Sequence, residues 1–361
     1  TLMFGANVAN AAAIPAKLNW TELVDELDTD LPANISTFDA GYGIEFGASL
    51  TLNIDSGTVL LVGTLDGAIF KTDIDAGDVT VDDADVFSFR ISDAGLFAGA
   101  GGAFEAGPTA AIDTDAGTGF IATGAAFELL TIGGGTAVTG GAIGDSWTAY
   151  RIEVAEAAPV GIDGITLKAY DFVVAGNSVA DAVVAGDLPN KIDWTTLSDL
   201  FPDFVLTSDD NGVDETVVFS LGGAIEVDIA GYVLGLGAFT LQINDYTNVT
   251  GGTATAIADA QVLRISLEGV SLFAGVGGAF QIDAITGRAT AVSSGAGTGF
   301  VVDDAALDIV LLKDVLDPLN PVTYTAVSVT AEGVRLQGLP ASLAFEITKF
   351  SFTMNLPATD T

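Results

Sequence analysis

The chain has 361 residues, 49% of them hydrophobic, yet it carries 48 acidic against 11 basic groups, a net charge of -37 at pH 7. So acidic a surface repels nucleic acid phosphates and anionic lipid headgroups, which sets both aside as direct partners. Cysteine and histidine are absent, which removes disulfides, thiolate nucleophiles, zinc and haem ligation by these residues and imidazole acid–base catalysis.

In chain order, the opening residues Thr1 to Trp20 lack the basic start of a signal peptide and an initiator Met, so the chain reads as processed or as a window of something longer. No run of about 18 uncharged apolar residues of the membrane-helix type follows, so no membrane insertion is expected. Residues 1–7 read as the end of a preceding repeat, because Val8, Ala9 and Ala11 align with Val179, Ala180 and Ala182. A short helix is expected at Trp20 to Leu27, capped by Asn19, with Glu22 completing a capping box and Pro32 closing the segment. Strands come next: Ser49 to Asp55 alternates apolar with polar residues, the period-two signature of a half-buried strand with one face in the core. Gly and Asp clusters mark the turns between such runs.

The segment Ile14 to Leu23 then reappears as Leu188 to Leu197, which places Trp20 opposite Trp194, 174 residues on. Gly95 to Phe104 (GLFAGAGGAF) returns as Ser271 to Phe280 (SLFAGVGGAF), and Ala116 to Leu130 returns as Ala296 to Val310. The chain is one unit written twice, as residues 8–175 and 176–355, with 356–361 opening a following linker or repeat. The second unit predicts its own short helix at Trp194 to Leu200, capped by Asp193 and closed by Pro202. Both tryptophans are expected to be core anchors. Alternation recurs at Ala224 to Ala230, Thr325 to Ala331 and Ala341 to Ile347. Tyr232 to Phe239 is apolar on both phases. The apolar parity switches between Leu167 and Tyr170, and again between Ile347 and Phe350, which a β-bulge or a crossing between sheets explains. The second GGAF segment, like the first, lacks the Lys-Ser or Lys-Thr of a phosphate loop, so close backbone packing explains its glycines.

Ser146 to Val154 (SWTAYRIEV), followed by Val160 to Val174 and preceded by the LFAG-GGAF segments, resembles the long tandem repeats of giant bacterial exported or cell-surface, adhesin-like proteins. That resemblance implies an extracellular or cell-surface location and a structural role. It carries no chemistry of its own.

Paired carboxylates are the remaining catalytic option. The acidic positions kept in both units, Asp25 with Asp199, Glu128 with Asp308 and Glu156 with Glu332, fall on polar phases and read as solvated surface. No catalytic residue is assigned, and the protein reads as a non-enzyme. Calcium is the one cofactor candidate, since Asp-rich turns gather hard oxygens. The candidate ligands are Asp73, Asp75 and Asp78, then Asp113 and Asp115, then Asp209, Asp210 and Asp214. None of the three groups completes an EF-hand loop.

The expected fold is all-β: tandem elongated antiparallel β-sandwich or rolled-sheet repeats, each with one short helix, with a β-solenoid as the alternative. The expected function is a structural or adhesive segment forming a rod, filament or surface layer by end-to-end packing. Neighbouring repeats or identical subunits would meet through terminal strands, beside an unknown cell-surface or matrix ligand. A carrier groove for apolar molecules and an outer-membrane β-barrel are the other readings weighed.

Overall fold

The computed structural model describes residues 2–6, 42–54, 57–105, 111–182, 189–208, 212–250, 257–314, 322–343 and 345–360. Among the described residues the all-β expectation holds, with 75% strand, 4% helical turn and no helix of seven residues or more. After β1 (Leu2–Ala6), which falls in the residues assigned to a preceding repeat, come β2 (Tyr42–Ile54), β3 (Val59–Ala76), β4 (Val79–Ala100), β5 (Ala103–Phe104), β6 (Ile112–Asp113), β7 (Thr118–Thr139), β8 (Ser146–Val160) and β9 (Ile165–Ala180), which closes the first unit. Those that follow are β10 (Val217–Ile229), β11 (Val233–Val249), β12 (Ile257–Val276), β13 (Ala279–Ile282), β14 (Ala289–Ser293), β15 (Thr298–Asp314), β16 (Val322–Gln337), β17 (Phe345–Ile347) and β18 (Phe350–Asp360).

Fourteen of these strands form a single antiparallel sheet. Thirteen follow one path, β1-β2-β3-β4-β7-β8-β9-β10-β11-β12-β15-β16-β17, and β18 pairs with β16 beside it. The sheet does not close into a barrel. Nor do its antiparallel neighbours form the parallel coils of a solenoid. Pairs β5-β6 and β13-β14 are small hairpins that leave the sheet at matching points, one in each unit. Strands β4 and β7 are 22 residues long, which is roughly 70 Å at the usual rise.

A crease crosses these long strands. Register slips between Ile91 and Ala94 on β4, Gly222 and Ala224 on β10, Leu236 and Ala238 on β11, and Leu267 and Leu272 on β12. On this line Asp93, Asp171 and Asp304 have φ of 50°, 48° and 45°, while Gly124 and Gly269 have 57° and 59°. In the sequence match Asp93 falls on Gly269, and Gly124 on Asp304. The units thus exchange Asp and Gly at the same bulges, as expected of the residue types that most readily enter the left-handed region. The parity switch at Leu167 to Tyr170 is one of these bulges: Asp171 and Phe172 together oppose Gly223. In the second unit the corresponding strand is interrupted, β17 ending at Ile347 and β18 starting at Phe350.

The two faces of the sheet differ. On one, the ladder row Ser88, Leu130, Ala149, Asn177 and the row Val86, Ile132, Trp147, Val179 lie under the segment joining the two units. This segment, residues 189–216, will be called the strap. It contributes Ile192, Trp194, Leu197, Phe201, Leu206 and Val213 to a common core with those rows. Beyond the crease the same face is covered by the hairpins, where Leu234, Phe273 and Val301 pack with Phe280 and Val292 of β13-β14.

The opposite face carries a row running Phe89, Leu129, Tyr150, Gly176, Phe219, Ile243, Leu263, Leu311 through both units. A second row runs Ile165, Ile229, Val233, Ala274, Phe300, Leu336, Phe345. Among the described residues nothing packs on this face, and Ile165, Ile229, Leu336 and Phe345 are each more than 40% exposed. This corrects the simple reading of the alternation. The apolar phases of Ser49 to Asp55 and Ala224 to Ala230 lie on the open face, with Leu52, Ile54, Ile225 and Ile229 exposed, whereas Glu226 on the polar phase is buried. The strap and hairpins offer polar backbone to the covered face, and backbone groups need polar partners.

The glycine motif packs against itself. Chain reversal occurs at Gly101 and Gly277 (φ 80° and 88°), and the next residues, Gly102 and Gly278, lie flat on the fully buried rings of Phe97 and Phe273. A Cβ on Gly278 would sit 2.3 Å from the Phe273 ring.

Candidate functional site

Among the described residues, several of the buried polar groups, Glu128, Asn177, Thr207 and Glu226, lie where the two units join. The strap begins with a 3-10 turn, Trp194–Leu197, at the position of the expected helix. Asp193 caps it as predicted, its Oδ1 accepting from Thr195 N (3.1 Å) and Thr195 Oγ1 (2.6 Å). The turn stays short because Thr195, Thr196 and Ser198 favour local backbone bonds over a continuing helix, and Pro202 follows. The equivalent helix at Trp20 to Leu27 lies outside the described residues.

Asn177, at the end of β9 and 2% exposed, holds the strap at both ends. Its Nδ2 donates to the carbonyls of Ile192 and Asp214, both at 2.9 Å. The indole Nε1 of Trp194 donates to Asn177 Oδ1 at 3.1 Å. All three bonds use one carboxamide, so strap and strand are in fixed register. Trp194 is fully buried, as the anchor reading requires, and the indole of Trp147 on β8 donates to Asn190 O at 2.8 Å.

Glu128 fixes the far side. It was assigned to solvated surface by its polar phase, but it is 5% exposed and accepts from Val205 N (3.0 Å) and Leu206 N (2.9 Å) of the strap. The polar phase of β7 faces the strap and not water, which is the reason for the difference. Arg90 donates to the strap carbonyl of Asp203. Asp145, 1% exposed, accepts from Ala142 N (2.6 Å) and Ala182 N (2.9 Å), closing the turn before β8 onto the end of β9.

A second contact joins the units beyond the crease. Arg288, in the β13-β14 hairpin of the second unit, pairs through both terminal nitrogens with Asp171 on the β9 bulge of the first. Its guanidinium stands 4.6 Å from the ring centre of Tyr170. The Tyr170 hydroxyl donates to Glu226 Oε2 (3.3 Å), which also accepts from Ala289 N (3.2 Å). Burial pushes the Tyr170 hydroxyl's pKa up, and the Glu226 carboxylate adds to this. Lys168 is raised too: burial opposes its charge, but the bond with Tyr170 and the nearby carboxylates outweigh it. The pair with Asp171 raises Arg288.

The calcium candidates are scattered. Asp73 accepts from Asp83 N (2.9 Å), Asp75 from Gly77 N (3.4 Å) and Asp113 from Asp115 N (2.9 Å). Asp214 accepts from Thr216 N, Thr216 Oγ1 and Val217 N at 2.7 to 3.2 Å. The bonds of Asp75, Asp113 and Asp214 are the turn-capping bonds that Asp makes without any ion, and that of Asp73 ties β3 to the positive-φ residue Asp83 on β4. Asp78 lies in the turn between β3 and β4, and Asp209 and Asp210 lie outside the described residues. Among the described residues no three acidic side chains converge on one point. A shallow depression of about 310 Å³ between the turns at Gly164 and Gly231 contains Asp163 and Asp228. Asp228 Oδ1 is engaged there by Gly231 N at 2.7 Å.

Comparison with protein families, with curated proteins and with solved structures returned no match. Sequence reasoning identified Trp194 and Asp193 but missed Asn177, Glu128, Asp145 and Arg288, the polar groups that hold the junction.

Proposed function

We propose that this chain is a structural or adhesive segment of a large extracellular bacterial repeat protein, working as part of a rod, filament or surface layer. The observation that carries the reading is the joint between the units. Strands β9 and β10 pair from Ile165–Ile229 to Gly176–Phe219, so the second repeat extends the sheet of the first. The strap that leads into the second unit simultaneously supplies the cover of the first. A unit that needs its successor's strap for its core is suited to an array in which stability builds through neighbours. Dense acidity keeps such an array soluble and discourages lateral collapse. Imaging the assembled native particle tests the proposal: an extended object with a repeat along its axis supports it, and isolated globules at all concentrations refute it.

A carrier for apolar molecules is the second reading, favoured by the open apolar face. Saturable binding of a fluorescent fatty acid at fixed stoichiometry would favour it over the structural one. The outer-membrane barrel reading has less support, because the sheet has two separate edges. A protein released from cells without detergent is not an integral barrel.

A further inference from the structure

The hairpin that ties the second unit to the first is longer than its counterpart. Eleven residues lie between Phe104 and Ala116 and fifteen between the matching Phe280 and Ala296, so the second hairpin has four residues that the first lacks. The eleven include no Lys or Arg, whereas the fifteen include Arg288. The longer turn is closed on itself. Asp283 Oδ1 accepts from Ile285 N (2.9 Å), Thr286 N (2.7 Å) and Thr286 Oγ1 (3.0 Å), and Asp283 N donates to Arg288 O at 2.9 Å. Aspartate caps of this kind fix the shape of a turn, and this one holds Arg288 at the base of the loop. From there the guanidinium reaches Asp171, the Tyr170 ring and, at 3.4 Å, the carbonyl of Ala155.

The ladder identifies the same position in the second unit. Ala125 on β7 pairs with Val154, and its sequence match Ala305 pairs with Ala331. On the next strand Val154 pairs with Phe172 and Ala157 with Ala169, just as Ala331 pairs with Phe350 and Val334 with Ile347. Between these matched pairs lie Tyr170 and Asp171 in the first unit and Thr348 and Lys349 in the second. Glu346 stands where Lys168 does. The two charges that flank the position are thus interchanged between the units, and Thr348 replaces the aromatic ring between them.

We propose that the hairpin and the strand segment it grips specify which unit follows which: a second-type hairpin is accepted beside Tyr170 and Asp171 and rejected beside Thr348 and Lys349. The first arrangement offers Arg288 a carboxylate for both terminal nitrogens and a ring face 4.6 Å from its guanidinium. The second puts a like charge where that carboxylate stands and has no ring. Juxtaposed like charges reject a wrong partner more effectively than missing contacts do. Two second-type units in succession would set Arg288 of one against Lys349 of the other, so the two kinds of unit alternate. This rests on the repeat-array reading, because order matters only where units recur.

Hydrogen exchange at Ala289 N, the donor to Glu226, reads hairpin docking in the full chain. A triple variant, Lys168→Glu with Tyr170→Thr and Asp171→Lys, gives the first unit the second unit's residues and should lower protection at Ala289 about tenfold or more. It includes the carboxylate of Glu346, so a hairpin able to use that group instead would keep native protection and overturn the proposal. Arg288→Asp alone should lower protection comparably, because Asp171 and Glu226 would then face a third carboxylate. Adding Asp171→Arg to it should recover most of the loss. Asp171→Asn keeps a residue suited to the φ of 48° and should lose protection severalfold, which separates the charge from the backbone. Native protection in Arg288→Asp or in Asp171→Asn, or a double variant no better than Arg288→Asp, would show that charge does not select the hairpin. Any of these results strikes the order code alone, whereas isolated globules on imaging strike the array reading, so the two failures are distinguishable.

Discussion

Replacing Asn177 with Ala should release the strap while leaving the sheet paired. The carboxamide is 2% exposed and makes three bonds, to Trp194 Nε1, Ile192 O and Asp214 O. Truncation leaves a buried donor and two carbonyls without that partner. At about 1–2 kcal/mol per orphaned group, strap docking weakens by about 3–6 kcal/mol. Asn177→Asp should be no better, since its carboxylate would face two carbonyl oxygens. Hydrogen exchange is the suitable assay, because it reads local opening separately from global unfolding. The amides of Val205 and Leu206, which donate to Glu128, should lose protection by roughly 100-fold or more, while amides within the β3-β4 ladder keep theirs. Trp emission should shift to the red as the Trp194 indole reaches water. Native protection at Val205 and Leu206 in the variant would refute the view that Asn177 holds the strap.

Other perturbations separate the remaining parts of the structure. Gly278→Ala, whose Cβ would stand 2.3 Å from the buried Phe273 ring, should destabilise the second unit by about 1–3 kcal/mol in chemical denaturation. Raising the pH should loosen the junction beyond the crease: Tyr170 and Lys168 both have raised pKa values, so their contribution is complete below about pH 10 and is lost as the pH climbs through the folded values. Exchange at Ala289 N, the donor to Glu226, should report it. Asp283 moves the other way, because the N–H groups of Thr286 and Ile285 depress its pKa; its contribution is present above about pH 4 and is lost on acidification through its folded pKa. Melting in calcium and in chelator at matched ionic strength should give equal midpoints, since Asp75, Asp113 and Asp214 already cap turns and Asp73 already accepts from Asp83 N across the β3-β4 pair. A rise specific to calcium over magnesium would contradict that expectation.

The sequence disclosed the strands, the duplication and the capped turn at Trp194, because these are written locally, in period-two alternation and in a repeated segment. The parity switch at Tyr170 was equally legible, since a bulge leaves its mark on the pattern itself. Which apolar phase is covered was not legible. Leu52 and Ile229 look like core residues and stand in the open, while Glu128 and Glu226 look like surface and are buried, because the outcome depends on segments distant in the chain. Asn177 did leave a trace that went unread. In the sequence, Val174 to Asn177, Phe352 to Asn355 and Phe4 to Asn7 each run from an apolar residue to an asparagine, Asn7 lying outside the described residues. The ladder also pairs Ala326 with Asn355 as it pairs Ala149 with Asn177, which sets Phe350 opposite Phe172 rather than Tyr170 in the repeat alignment. The sequence match alone does not fix that two-residue difference, whereas the strand register does.

The absence of cysteine from the chain makes the junction open to a clean chemical test. Val174 on β9 and Leu221 on β10 are direct ladder partners across the boundary between the units, whereas Val227 pairs with Leu167, far along the strand from Val174. In antiparallel pairs, opposite Cβ atoms lie about 4.5–5.5 Å apart, near enough for a disulfide after small adjustment. The double variant Val174→Cys with Leu221→Cys should therefore oxidise readily in the folded protein and leave its circular dichroism unchanged. The mismatched pair Val174→Cys with Val227→Cys should stay reduced under the same conditions. Equal, slow oxidation of both pairs would contradict a continuous sheet through the two repeats.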